Sequence, residues 1–280
     1  MIPALPHTHG AGAAPDDPLA VAWLEHMDRQ GTAVNTIRAR VRVLRSLAAS
    51  TGRPLADLTR EDCEAWWDSR AHLAPATRSN DLACLRAFFK WAARWEHRAD
   101  DPTNRLDAPK VPQGLPHPVS RADLQTLLTE LDGDLRRAVC LGAYAGLRVA
   151  EAAALRWEAI DTEARRITVL GKGQKTRAVG LSPLLLDQLL PATGGNVVTA
   201  GGDTYTAANL QRKVNRAIRA AGVEETFHGL RHRFGTLAYA STGDLLGVSR
   251  AMGHASVTTT AIYAATGDEV LDRIAVAVAR

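Results

Sequence analysis

The sequence has little cysteine, no long apolar run, and none of the short motifs that announce a bound nucleotide or metal. Its three cysteines, Cys63, Cys84 and Cys140, make an odd count without a Cys-x-x-Cys spacing. Each sits in an apolar, helix-like pattern, which speaks against a disulfide framework or a zinc site and predicts reduced core thiols. No stretch approaches the roughly 20 apolar residues that a membrane span needs. The opening MIPALPHTHGAGAAPDD lacks the basic and apolar regions of a signal peptide. The reading is a cytoplasmic protein with no membrane partner. No GxxxxGK[ST] segment is present, so ATP-driven chemistry is not expected, and no HExxH or other zinc spacing suggests a metallohydrolase. No cofactor and no metal are expected.

What is present is an ordinary globular composition. With 280 residues and 46% hydrophobic content, the chain can bury a substantial core in two modest domains. Its 34 Lys+Arg against 30 Asp+Glu give a formal charge of +4, a mild basic excess compatible with nucleic acid.

The fold class expected is mainly α with a small antiparallel β-sheet. Residues 1–15 are mostly Pro, Gly, Ala and His without periodicity, which predicts a disordered lead in which His7 and His9 are not taken as a metal site. Residues 16–100 show helical spacing throughout: Leu19, Trp23 and Met27, then Val34 to Leu47, then a stretch opened by Thr59 with Asp62 three residues on, then Thr77 to Trp95. This predicts a bundle of about four helices. Pro102, Pro109, Pro112, Pro116 and Pro118 mark 101–118 as an interdomain linker. A second domain, 119–265, opens on a helix start at Ser120 to Asp123, with helical stretches near 121–131, 134–145 and 148–155. Two β-rich runs, Arg165 to Leu170 and Thr176 to Leu181, flank Gly171-Lys-Gly-Gln-Lys175 and predict a hairpin. Helical patterning resumes near Thr206, interrupted by glycines at 222, 229, 235, 243, 247 and 253. Residues 266–280, with Val270, Ile274 and Val278 at spacing four, predict a short amphipathic helix.

Four segments concentrate reactive side chains: Gly146-Leu-Arg-Val-Ala-Glu151, Gly171-Lys-Gly-Gln-Lys-Thr-Arg177, His228-Gly-Leu-Arg-His232, and Gly253-His-Ala-Ser-Val-Thr-Thr-Thr-Ala-Ile-Tyr263. Singly, each has a plain reading as a surface ion pair, a turn or a solvated face. In this order, and with the Leu155-Arg-Trp157 and Asp161 context after the first, they resemble the catalytic segments of the tyrosine recombinases, the family of phage integrases and Xer-type resolvases. The resemblance covers the whole second domain, and the helical first domain and linker match the family's layout more loosely. It implies an N-terminal helical core-binding (SAM-like) domain followed by a tyrosine recombinase catalytic domain. It makes Arg148 and Arg231 the catalytic arginines, Lys172 the hairpin lysine, His228 and His254 the histidines and Tyr263 the nucleophile, with Glu151 supporting the first arginine. Every position expected of the family is filled.

The residue types suit that chemistry. Attack on a phosphodiester builds charge on the non-bridging oxygens, which two planar guanidinium forks can bind while staying charged at any working pH. A tyrosine hydroxyl, with an unperturbed pKa of about 10, needs a proton acceptor and a positive field to attack at neutral pH. His228, one helical turn from Arg231, is placed to be that acceptor. The leaving oxygen needs a proton, which Lys172 would supply as general acid. Lys175 competes for this role, although its place in the turn suggests phosphate contact, as for Arg177. His254 would hydrogen-bond the scissile phosphate.

Double-stranded DNA core sites are the expected partner. Arg38, Arg42 and Arg45 share one helical face, Arg86, Lys90 and Arg94 another, and Arg212, Arg216 and Arg219 a third. These stripes read as phosphate contacts or, alternatively, as solvated faces. The resemblance also implies a homotetramer on synapsed DNA, with the C-terminal helix docked into a neighbouring subunit, or alternatively packed on its own domain, and leaves room for a directionality factor. Many phage integrases carry an extra arm-binding domain, whereas only a short tail precedes the helical domain here. Integration or excision of a phage or mobile element is favoured over dimer resolution or inversion. A type IB topoisomerase and a catalytically silent DNA-binding protein are the rival readings.

Overall fold

The computed structural model describes residues 17–112, 114, 116–171, 176–191, 194–254, 260 and 262. The chain divides into two compact units, residues 1–113 and 114–280.

Among its described residues the first unit holds four α-helices: α1 (Pro18–Arg29), α2 (Val34–Thr51), α3 (Arg60–Ser69) and α4 (Pro75–Arg94). Asp17 caps α1, its Oδ1 accepting the N–H groups of Leu19 and Ala20 at 3.0 Å each, while Oδ2 accepts Leu55 N–H at 2.7 Å. One carboxylate thus satisfies orphan donors at a helix start and fixes that start against a turn 38 residues away. Thr59 and Asp62 form the expected reciprocal cap on α3. The apolar stripes meet in a core of Trp23, Leu24, Leu44, Leu47, Trp66, Leu85, Phe88 and Phe89. Inside it, Asp81 is buried and receives Arg70 Nε at 3.1 Å, and Arg70 NH1 reaches Ser46 Oγ at 3.0 Å. The pair ties α3 and α4 to α2, and it satisfies a charge that would otherwise be costly to bury.

The proline-rich segment is less uniform than its composition implies. Thr103 and Leu106 are buried with the first unit, and Arg86 donates to the Leu106 carbonyl. Pro116 and Val119 are buried in the second unit, Val119 N–H donating to Gly229 O at 3.1 Å. Between them, the described residues 107–112 and 114 are exposed or half-exposed.

The second unit contains α5 (Arg121–Glu130), α6 (Gly133–Ala145) and α7 (Val149–Ala154). A three-stranded antiparallel sheet follows, β1 (Ile160–Asp161), β2 (Arg166–Leu170) and β3 (Thr176–Gly180), in spatial order β1-β2-β3. Next come α8 (Pro183–Leu189), a two-stranded ribbon of β4 (Thr199–Ala200) and β5 (Asp203–Thr204), then α9 (Ala207–Ala220), α10 (Phe227–Thr242) and α11 (Leu245–Met252). Buried α6, with Val139, Cys140 and Leu141, packs on α8 and α10. On β2 the alternation is strict, Ile167 and Val169 inward with their neighbours exposed.

Two expectations change here. Gly229, Gly235 and Gly247 do not interrupt the helical pattern, because α10 runs through the first two and α11 through the third. Glycine weakens a helix interior by about 1 kcal/mol relative to alanine, but a Cβ at Gly229 would lie 3.0 Å from the His117 carbonyl oxygen, so glycine is what lets the chain pass this close. The ribbon of β4 and β5 was not anticipated, since two residues per strand leave no periodicity to read. All three cysteines are buried free thiols. Burial pushes Cys63 and Cys84 up to about 12 and Cys140 up to about 11, leaving each an inert part of the packing. Among the described residues no helix is long and apolar enough to cross a membrane. The expected N-terminal lead and C-terminal helix lie outside the described residues.

Candidate active site

The turn between α6 and α7 builds the first part of the site. Gly146 ends α6 in a left-handed conformation, Leu147 is buried, and Arg148 is the N-cap of α7. Glu151, three positions into the helix, accepts the Arg148 backbone N–H on Oε2 at 2.7 Å and Arg148 NH1 on Oε1 at 2.9 Å. The helix start therefore sets both the carboxylate and the guanidinium it holds.

The second part is the C-terminal end of α11, where the last carbonyls of a helix lack internal partners and carry its negative dipole. Arginines from three other elements cap them. Arg148 NH1 donates to Met252 O at 3.3 Å and NH2 to Gly253 O at 2.9 Å. Arg231, on α10, donates to Met252 O at 2.6 Å and also to the Gly146 carbonyl. Arg177, on β3, donates through Nε to Ala251 O at 2.8 Å. Gly253 has φ of 63°, and a Cβ there would lie within 3.0 Å of the Arg177 side chain, so backbone conformation and space both require glycine.

Arg177 departs from expectation. It does not face outward toward phosphate: its side chain is 12% exposed and grips Glu151 with both ends of its fork, NH1 to Oε1 at 2.8 Å and NH2 to Oε2 at 2.9 Å. Arg231 NH1 stands 3.9 Å from Oε2. One carboxylate thus lies among three guanidiniums. Burial raises the Glu151 pKa, but the Arg177 hydrogen bonds, the Arg148 N–H and both charges outweigh it and hold the carboxyl below its ordinary value. The side chain of Arg148 stays 41% exposed, while that of Arg231 is 1% exposed.

Three histidines surround the arginines. His228 and His232, one turn apart on α10, meet edge to face with ring centroids 4.4 Å apart. His254 follows Gly253, and its Nδ1 lies 2.7 Å from Thr260 Oγ1. Desolvation, then Arg231 and Arg148, lowers the His228 pKa. Desolvation, followed by the same arginines and His228, brings His254 down to about 4. For His232, desolvation leads, with His228 and Arg231 adding to it, and the pKa is again about 4. All three rings are neutral at pH 7.

The structure thus brings together Arg148, Glu151, His228, Arg231 and His254. Lys172, Lys175 and Tyr263 lie outside the described residues. Arg38, Arg42, Arg86, Lys90 and Arg94 are exposed on α2 and α4, and Arg45 is half-buried. Arg212, Arg216 and Arg219 are exposed on α9, where with Gln211 and Asn215 they line a groove of about 650 Å³. Among the described residues no group of His, Cys, Asp or Glu is arranged to hold a metal.

Residues 119–269 match the model of the phage integrase family, and residues 20–96 match the phage integrase N-terminal SAM-like domain. The chain belongs to the phage integrase family. It is a tyrosine recombinase, an enzyme of site-specific recombination. The recombinase is 30% identical over 223 residues to tyrosine recombinase XerC of Xylella fastidiosa (strain M23), covering 74% of this chain and 76% of that one. It is 32% identical over 273 residues to tyrosine recombinase XerC of Rhodospirillum centenum, covering 86% and 80%. In fold it is similar to a chain of the lambda integrase (75-356) dimer bound to a COC' core site, with a TM-score of 0.74 at 18% identity over 88% of this chain and 93% of that one. XerH site-specific recombinase bound to difH substrate gives 0.66 at 22% identity over 91% and 83%.

Proposed function

We propose that the recombinase cuts and rejoins double-stranded DNA at core sites through a 3'-phosphotyrosine intermediate on Tyr263. The observation that carries the reading is the convergence of Arg148, Arg231, His228 and His254 about the end of α11. Two fixed positive charges beside neutral imidazoles suit a developing phosphorane better than a ground-state ester. The Tyr263 oxygen attacks phosphorus, and its proton passes to His228. Arg148 and Arg231 hold the non-bridging oxygens, with His254 as a further donor. The bond to the 5'-oxygen breaks as Lys172 supplies that oxygen with a proton. Religation reverses these steps with a new 5'-hydroxyl as nucleophile. Because the phosphotyrosine conserves the broken bond's energy, no ATP is consumed, and the arginines take the place of a metal.

DNA would be tracked by Arg38, Arg42 and Arg45, by Arg86, Lys90 and Arg94, by Arg212, Arg216 and Arg219, and by Lys175. A homotetramer on two synapsed duplexes, in the cytoplasm and steered by a directionality factor, fits integration and excision of a mobile element. The test is incubation with suicide substrates made from the DNA flanking its gene. A covalent adduct that survives SDS and disappears in Tyr263→Phe is expected. An adduct that persists in that variant overturns the assignment of the nucleophile.

A further inference from the structure

We propose that Arg177 is a positioning residue for Arg148: it occupies Glu151 so that this carboxylate anchors Arg148 without taking the guanidinium face that Arg148 turns to phosphate. The proposal rests on the reading that Arg148 binds the scissile phosphate.

A carboxylate offers about four lone-pair sites. At Glu151 they are filled by four N–H groups, two from Arg148 and two from the Arg177 fork. Arg148 therefore gives Glu151 its backbone N–H and a single side-chain nitrogen, rather than a fork of its own. Its guanidinium is anchored further on the Met252 and Gly253 carbonyls. Held this way, the Arg148 side chain remains 41% exposed.

Without Arg177, two acceptor sites open on a carboxylate whose side chain is 7% exposed, too deep for water to serve fully. Arg148, already bonded to it and the most exposed of the three arginines, is the nearest cation able to close a bidentate pair. That rotation would withdraw N–H donors from a ligand. The local balance would also fall from three guanidiniums against one carboxylate to two against one.

Arg177 acts on the second anchor too. Its Nε holds Ala251 O at 2.8 Å, and its side chain lies directly against the Gly253 backbone, whose carbonyl receives Arg148 NH2. Both supports of Arg148, the carboxylate and the α11 terminus, are thus fixed by one side chain on the sheet. Lysine could supply the charge but not three directed bonds in one plane.

The experiment compares strand cleavage by the full-length chain on two suicide duplexes, one with a normal scissile phosphate and one with a methylphosphonate at that mapped position. Replacing a charged non-bridging oxygen by methyl removes the charge that Arg148 would neutralise, so a defect arising through Arg148 must shrink on this substrate. For Arg177→Met, cleavage of the phosphate substrate is expected to fall about 10- to 100-fold, as when a group behind a directly acting residue is lost. The deficit should narrow at least several-fold on methylphosphonate, with Arg177→Lys intermediate. The ratio of the two substrates is taken within one sample, so a reduced folded fraction cancels. An equal deficit on both substrates, or no deficit on either, overturns the proposal. Arg148→Ala is run in parallel: failure of that variant to narrow the gap would sink the phosphate-binding reading itself, whereas narrowing there but not in Arg177→Met would sink only the role of Arg177.

Discussion

Glu151 and the side chains around it set the pH behaviour of the second unit. With its carboxyl held below the ordinary glutamate value, Glu151 contributes stability that is present above the unfolded-state pKa and lost as pH falls through the lower folded-state value. Glu151→Gln removes the charge while keeping the shape, leaving three guanidiniums around a neutral amide. A loss of about 3–5 kcal/mol at pH 7 is expected, the range for breaking a buried pair from one side, and the variant should lack the wild-type loss below about pH 4.5. Urea denaturation at pH 7 and pH 4 checks both. The histidines act in a higher window. With folded-state values of about 4, His232 and His254 are charged first in the unfolded chain, so stability declines from about pH 6.5 down to about 4. His232→Asn and His254→Asn should each flatten that decline, and an unchanged slope would show that these rings titrate normally.

At the scale of elements, capping and periodicity carried most of the legible information. Thr59 with Asp62 and Ser120 with Asp123 mark real helix starts, and the β-rich runs around Gly171 become β2 and β3. The residues of the site were legible by type and order, but their mutual bonds were not. The carbonyls of Ala251, Met252 and Gly253 look like any backbone in a sequence, yet they anchor three arginines. Arg177 was legible in principle. It pairs with Val169 across the sheet and lies two residues from buried Val179, so the period of two already turned it inward. Exposed arginines on α2, α4 and α9 have no such constraint, and there a binding measurement decides. Changing Arg42 and Lys90 together to Gln should weaken binding to a core-site duplex and reduce the slope of log K against log salt by about 1.8, or 0.9 per phosphate contact. A slope equal to that of the unaltered chain would return both residues to the solvated surface.

At the scale of the whole molecule, the two cores share no residue. Leu106 closes the first and Val119 belongs to the second, while the described residues from 107 to 112 and residue 114 are exposed or half-exposed. Each unit therefore has the apolar interior to fold by itself, and Lys110 offers trypsin an accessible bond between them. Brief digestion is expected to give two resistant fragments, each with its own cooperative thermal transition. Both units carry exposed basic faces, so tethering them makes the second DNA contact intramolecular. The uncut chain should bind a core-site duplex about 10²- to 10⁴-fold more tightly than either fragment, and mixing the fragments should not recover the difference. If the mixture bound as tightly as the uncut chain, the affinity would reside in one unit, and should that be the second, the basic faces of α2 and α4 would have no part in holding DNA.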